Sequence, residues 1–214
     1  MNSKRALREL KEIEKLAPEL RLAADGWDKD WKTLIATLMS ARTTDRRTIP
    51  VAEELFRKYN SLAKLSQARL IEIKKVIKPV NYYKTKARNI SKLANILVKD
   101  YNSKVPLEFS ELIELPGVGR KTANVFLAEY GCDRIGVDTH VAWIARQMGW
   151  TKHEKQEFVE RDLEVLFPER YWGRINWILV RFGQTYSSRK NKIRILGEIK
   201  RRFSKDALRE ISLK

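Results

Sequence analysis

Cysteine is almost missing from this chain. Among 214 residues only Cys132 carries a thiol, which excludes an internal disulfide framework and any metal site built from four cysteines. So few thiols fit a reducing, intracellular compartment. Long apolar runs are missing too. No stretch reaches the roughly 18 apolar residues of a membrane-spanning helix, so no membrane partner is expected. The opening MNSKRALRELKEIEKL alternates charge and lacks the apolar core of a signal peptide. Alternating strand patterns and internal repeats are likewise not found. Acid is scarce relative to base: 27 Asp and Glu stand against 44 Lys and Arg, a formal net charge of +17. With a pI near 10.0 the expected partner is a polyanion, because neutralised phosphates release counterions and a positive field steers association.

What is present is a helical pattern carried by a hydrophobic content of 43%, enough for a folded core. Trp31, Leu34, Ile35, Leu38 and Met39 recur at helical spacing, as do Ile90, Leu93, Ala94, Leu97 and Val98, and then Ala123, Phe126, Leu127 and Tyr130. Punctuating residues, among them Pro50, Pro79, Pro106, Gly149, Pro168 and Gly183, divide the chain into about ten helical segments. The expected fold is all-α. Two basic clusters stand out. Seven Lys or Arg and no acid lie between Lys74 and Lys92, and ten basic residues against three acidic ones run from Thr185 to the end. Each reads either as a solvated helix face or as a surface that tracks phosphates.

The most informative run is Leu115-Pro116-Gly117-Val118-Gly119-Arg120-Lys121-Thr122-Ala123. An amphipathic segment with Phe109, Leu112 and Ile113 precedes it and another follows, so the run reads as a helix-hairpin-helix. Its glycines permit positive φ and a close approach to another backbone. Free N–H groups at the start of the second helix suit a phosphate, which makes Gly117, Gly119, Arg120 and Thr122 candidate DNA contacts. Carbonyls of such a hairpin also suit a monovalent cation. Lys121 reads either as one more phosphate contact or as a nucleophile. The helix dipole and the adjacent Arg120 favour an uncharged amine, which can form a Schiff base. Asp138, within Gly136-Val137-Asp138-Thr139-His140-Val141, reads either as the N-cap of the next helix or as a carboxylate serving chemistry.

These segments together resemble the endonuclease III branch of the helix-hairpin-helix DNA glycosylases. LPGVGRKTANV and GVDTHV carry the likeness, supported by Met39-Ser40-Ala41-Arg42-Thr43-Thr44-Asp45 and by Asn81-Tyr82-Tyr83-Lys84-Thr85-Lys86-Ala87. The resemblance implies a bifunctional base-excision enzyme acting on double-stranded DNA with a damaged base or an abasic site. Such an enzyme flips the base out, because the glycosidic carbon is unreachable inside the stack. Lys121 matches the family's nucleophile and would allow β-elimination of the 3′ phosphate. Asp138 matches its essential carboxylate. Arg42 falls where the family fills the gap opposite the orphaned base, and Tyr82 where an apolar side chain wedges between bases, with a buried structural tyrosine as the alternative. His140 reads as structural.

The resemblance further implies two lobes, residues 26–135 and residues 1–25 with 136–214, holding the active site and the DNA groove between them. An oxidised pyrimidine is the expected lesion. The rival lesions are 8-oxoguanine and thymine or uracil opposite guanine, and a rival of another class is a catalytically silent DNA-binding hairpin. A monomer in the cytoplasm or nucleoid is expected. The chain departs from the family at Trp143, where an arginine is usual, and at Asn81, where a glycine is usual. Most members also end in four cysteines holding a [4Fe–4S] cluster, and here Gly183 to Lys190 and the residues beyond contain none. A cluster-free protein is expected, because such clusters need thiolate ligands. Its last segment is expected to form an amphipathic helix with Ile195, Ile199 and Phe203 inward and Lys192, Lys200, Arg201 and Lys205 outward.

Overall fold

The structure, a computed structural model, describes residues 2–212, and side chains as far as Ser204. Among the described residues there are twelve α-helices, a 3-10 turn at Glu169–Tyr171 and no strand. The chain forms two compact units, Arg21–Gly131 and Met1–Leu20 with Cys132–Lys214. The divisions fall after Leu20 and Gly131 rather than after residues 25 and 135. One reason is local: the Leu22 amide donates to Asp25 Oδ2 (2.9 Å) and the Arg21 guanidinium stacks 4.7 Å over Trp27.

The first unit holds α2 (Asp30–Ser40), α3 (Asp45–Lys58), α4 (Leu62–Ser66), α5 (Leu70–Val76), α6 (Tyr83–Asp100), α7 (Phe109–Glu114) and α8 (Arg120–Glu129). Helix α2 is its centre. From Trp31 to Met39 every residue but Lys32 is buried, the mark of a helix packed on all sides, and α3, α6 and α8 pack against it. Trp31 and Trp27 both meet the ring of Phe56 edge-on, at 5.2 and 4.9 Å. Helices α4 and α5, with five and seven residues, exceed the ten segments the punctuation suggests. At under two turns they are too short to display a helical repeat. Pro50 does not end a helix; it lies inside α3 on the exposed side, where the Arg46 carbonyl it leaves without an i→i−4 donor can accept from water.

The second unit holds α1 (Ser3–Lys15), α9 (Thr139–Met148), α10 (Gln156–Leu166), α11 (Trp172–Thr185) and α12 (Arg189–Ser212). Ala6, Leu10 and Ile13 bury one stripe of α1, and α11 and α12 pack against that helix. Glu9 is buried within the same stripe. Its carboxylate accepts from Trp150 Nε1 (2.9 Å) and Arg5 Nε (2.8 Å), so the charge is paired.

Helix α12 forms as expected but turns a different face inward. Leu196 and Ile199 are buried, whereas Ile195 and Phe203 are only partly covered. Lys200 points inward, donating to the Gln147 carbonyl at 2.8 Å. That carbonyl lies in the last turn of α9, where no intrahelical donor exists, so a cation is the natural partner. Lys192 is also half-buried, while Arg201 is exposed and the Lys205 side chain lies outside the described residues.

Candidate active site and nucleic-acid interface

The hairpin consists of α7, a turn and α8. The Val118 amide closes the turn on the Leu115 carbonyl at 3.0 Å. Only Gly117 takes a positive φ (+82°), and a Cβ there would meet Asn89 Nδ2 at 2.6 Å. Both conformation and space require glycine. Gly119 differs from the expectation: its φ is −97° and a Cβ would meet nothing within 4 Å. Its bareness serves no packing inside the protein. It leaves the backbone open at the N-terminus of α8, where no side chain caps the helix and the first N–H groups have no intrahelical partner. Arg120 is exposed and stacks 5.2 Å over the Phe109 ring. Thr122 is buried at 6% exposure, so its backbone N–H is what it offers a phosphate. Lys121 is half-buried on the first turn of α8 and makes no hydrogen bond or ion pair with any other described residue.

Arg42 and Tyr82 come together in the first unit. The Arg42 guanidinium lies 5.5 Å from the centre of the Tyr82 ring. Both residues are exposed, Tyr82 at 60%, which rules out a buried structural tyrosine. Both adopt the left-handed backbone, at φ 56° and 59°. For residues with a Cβ that conformation costs about 1 kcal/mol or more and persists only where the surroundings hold it. The surroundings do hold it. Asn81 Nδ2 donates to the Arg42 carbonyl at 2.5 Å, and the Asn81 amide donates to Thr43 Oγ1 at 3.2 Å. The asparagine that replaces a usual glycine is thus a clamp on the Arg42 turn.

Sequence reasoning missed Lys86. It belongs to the first basic cluster but turns inward, with 6% exposure. Its ammonium donates to the carbonyls of Met39 (2.6 Å) and Ala41 (2.7 Å) and to Thr43 Oγ1 (3.2 Å). A signal was available: Lys86, Ile90, Leu93 and Leu97 fall at i, i+4, i+7 and i+11, so Lys86 occupies the inward stripe of α6.

Asp138 belongs to the second unit, Lys121 to the first. Asp138 is the N-cap of α9, with Oδ1 accepting the Val141 amide at 2.9 Å. Oδ2 makes no hydrogen bond with another described residue, so capping leaves one oxygen for chemistry. Two α11 residues hold this segment. Asn176 Nδ2 donates to the Gly136 carbonyl at 2.5 Å. Gly183, inside α11 and not at a helix end, leaves room for the His140 ring, whose Nδ1 would lie 2.3 Å from a Cβ there. Trp143, in place of the usual arginine, carries the Lys192 ammonium 5.2 Å from its ring centre.

The model of the HhH-GPD superfamily of base excision DNA repair proteins matches residues 35–169. The chain belongs to that family. It is 37% identical over 185 residues to endonuclease III of Thermotoga maritima, covering 85% of this chain and 87% of that protein. Against endonuclease III of Bacillus subtilis the identity is 35% over 156 residues, 72% of this chain and 71% of the relative. A solved trapped endonuclease III–DNA covalent intermediate superposes with a TM-score of 0.81 at 32% identity, covering 88% of this chain and 89% of that one. A thermostable thymine-DNA glycosylase superposes at 0.75 with 19% identity, a likeness of fold. The family member described here is a base-excision DNA glycosylase and AP lyase.

The iron–sulfur cluster that endonuclease III relatives normally carry does not fit these residues. A [4Fe–4S] cluster takes four thiolates, and this chain has one cysteine, Cys132. Among the described residues no group of three or more His, Cys, Asp or Glu is placed to hold a metal ion. Nor is any described helix long and apolar enough to cross a membrane.

Burial pushes the Lys86 ammonium down from the ordinary 10.5 to about 8. Between those values the unfolded chain keeps a proton at Lys86 that the folded chain has lost, so raising the pH through this window favours folding. Below it, the cost of burying the charge is fully present. Urea melts of wild type and Lys86→Met at about pH 7 and about pH 9.5 isolate the effect, because Met does not titrate. Wild type is expected to gain stability relative to the variant at the higher pH. A gap independent of pH would show that burial does not disfavour the ammonium.

Proposed function

We propose that this enzyme removes an oxidised pyrimidine from double-stranded DNA and then cuts the strand, acting as a monomer through Lys121 and Asp138. The observation that carries the reading is the uncommitted Lys121 amine, directly after an open glycine turn. No bond within the protein has to break before its nitrogen attacks C1′. The base departs with the glycosidic electron pair and the nitrogen releases one proton; the C1′–O4′ bond then breaks, O4′ taking up a proton, as the nitrogen lone pair forms the C1′=N bond of the Schiff base. Loss of a C2′ proton then expels the 3′ phosphate. Asp138 Oδ2 is the oxygen proposed to stabilise positive charge at C1′ and to carry protons, while Oδ1 keeps α9 capped. The open N-terminus of α8, with Gly117, Gly119, Arg120 and the Thr122 amide, is proposed to hold a phosphate. Carbonyls of the same hairpin suit a monovalent cation. Arg42 is proposed to fill the gap left by the flipped nucleotide and Tyr82 to wedge the stack.

A duplex panel bearing thymine glycol, dihydrouracil, 8-oxoguanine, uracil, G·T or an abasic site assigns the lesion, and cutting is expected first on the oxidised pyrimidines. Borohydride is expected to trap a covalent enzyme–DNA adduct in the wild type. Lys121→Gln should abolish that adduct with duplex affinity largely kept, since one phosphate contact is a small part of the electrostatic total. Undiminished trapping would place the nucleophile elsewhere.

Asp138→Asn keeps the side chain's size and a capping oxygen but removes the charge. Single-turnover base release is expected to fall by about a hundredfold or more, with little change in melting temperature. A fully active variant would leave Asp138 as a cap alone.

The donor set also supports activity without a cluster. The purified protein is expected to be colourless, to lack stoichiometric iron by elemental analysis, and to cut damaged DNA in the presence of chelator. Stoichiometric iron, or activity abolished by chelation, would overturn that reading.

A further inference from the structure

We propose that Lys86 is a positioning residue for base flipping, holding Arg42 and Tyr82 together as one two-pronged probe of the duplex. This rests on the proposed roles of Arg42 and Tyr82, and adds the part that makes them a unit. Lys86 reaches the two residues flanking Arg42 through its side chain and is tied to Tyr82 through the first i→i−4 backbone bond of α6. Its side chain donates to the Ala41 carbonyl and to Thr43 Oγ1, the residues on either side of Arg42. Its backbone amide donates to the carbonyl of Tyr82 at 3.0 Å. A single residue thus spans the two left-handed positions, which lie forty residues apart in sequence.

The arrangement suits the task mechanically. A side chain that enters the stack must push against base pairs without folding back, and each prong here stands on a backbone conformation that relaxes readily if its neighbours let go. The Met39 and Ala41 carbonyls belong to the C-terminal end of α2, where intrahelical donors run out. An ammonium with three donors and no acceptor satisfies both and still reaches Thr43. Without it the 40–43 turn is tied to the start of α6 only through Asn81, and the 5.5 Å pairing of Arg42 with Tyr82 is held less firmly. Lys86 lies among buried side chains and is not itself offered as a DNA contact.

The test separates opening the stack from chemistry. Affinity is measured for a duplex with a tetrahydrofuran abasic analogue and for the same duplex undamaged, and the ratio taken as discrimination. Borohydride trapping is measured on a single-stranded abasic oligonucleotide, where no stack has to open. Lys86→Met is expected to lower discrimination about tenfold, a fraction of the few kcal/mol that flipping requires, with single-strand trapping reduced far less. Lys86→Arg, which keeps charge and donors, should recover part of the discrimination. Unchanged discrimination in Lys86→Met, or trapping that falls in step with it, would overturn the proposal. The double variant Arg42→Ala/Tyr82→Ala tells the two readings apart. If it leaves discrimination intact, the probe roles themselves fail; if it lowers discrimination and Lys86→Met does not, only the role of Lys86 fails. Should Lys86→Met lack a cooperative melt, Lys86→Gln, an uncharged side chain with two donors in place of three, is measured instead. It is expected to give a smaller loss in the same direction, and no loss would again overturn the proposal.

Discussion

The end of a buried helix is the constraint on which the first unit depends. Helix α2 is packed on almost every side, so the Met39 carbonyl in its last turn is buried, and leaving it unpaired would cost several kcal/mol. The sequence supplies no C-cap glycine there; Ser40, Ala41 and Arg42 follow one another instead. The donor comes from α6, as the Lys86 ammonium. Once that choice is made, the start of α6 must lie beneath the end of α2. The turn after α2 and the turn before α6 then become neighbours, and Arg42 and Tyr82 emerge side by side. Desolvation of a charge, unfavourable alone, is offset by three hydrogen bonds and yields a rigid base for two exposed side chains.

The second unit solves a similar problem with neutral groups. The segment Gly136 to His140 is held in place while one oxygen of Asp138 caps α9 and the other makes no bond with a described residue. Helix α11 does this from beneath, with the Asn176 amide on the Gly136 carbonyl and the missing side chain of Gly183 against His140. In both units an element away from the candidate residue fixes its backbone, so the candidate side chain forms few bonds of its own. Lys121 is the limiting case, with none among the described residues.

Much of the architecture was legible because long helices repeat their apolar residues often enough to be counted. The stripe from Ile90 to Val98 and the glycine turn at 116–119 both read correctly as helix and hairpin. Short α4 and α5 were not legible, since a 3.6-residue period needs more than five or seven residues to show. Pro50 and Gly183 misled as punctuation, because their meaning depends on the side of the helix they occupy: Pro50 faces solvent, and Gly183 faces His140. The candidate site residues divide in the same way. Those within compact motifs, Lys121 and Asp138, could be singled out by position along the chain. Lys86 was hidden in a run of like residues, where composition says nothing about which one turns inward. Asn176 carried no local signal at all; its partner is forty residues away.

Net charge illustrates the same limit. A formal +17 points to a polyanion, but several of those cations are spent on the protein itself. Lys86 satisfies α2, Lys200 satisfies the last turn of α9, and Arg202 pairs with Glu12 at 3.2 Å. Lys192 lies over Trp143 and is half-buried. Each cation so used is one fewer for a phosphate. The salt dependence of DNA binding counts phosphates neutralised and not cations encoded, so the net charge alone does not give the number of phosphate contacts. The exposed cations include Arg120 at the hairpin and Arg42 beside Tyr82, the latter on a left-handed turn that Asn81 holds. Specific contact then depends less on how much positive charge the chain carries than on which few cations are left unburied and rigidly placed.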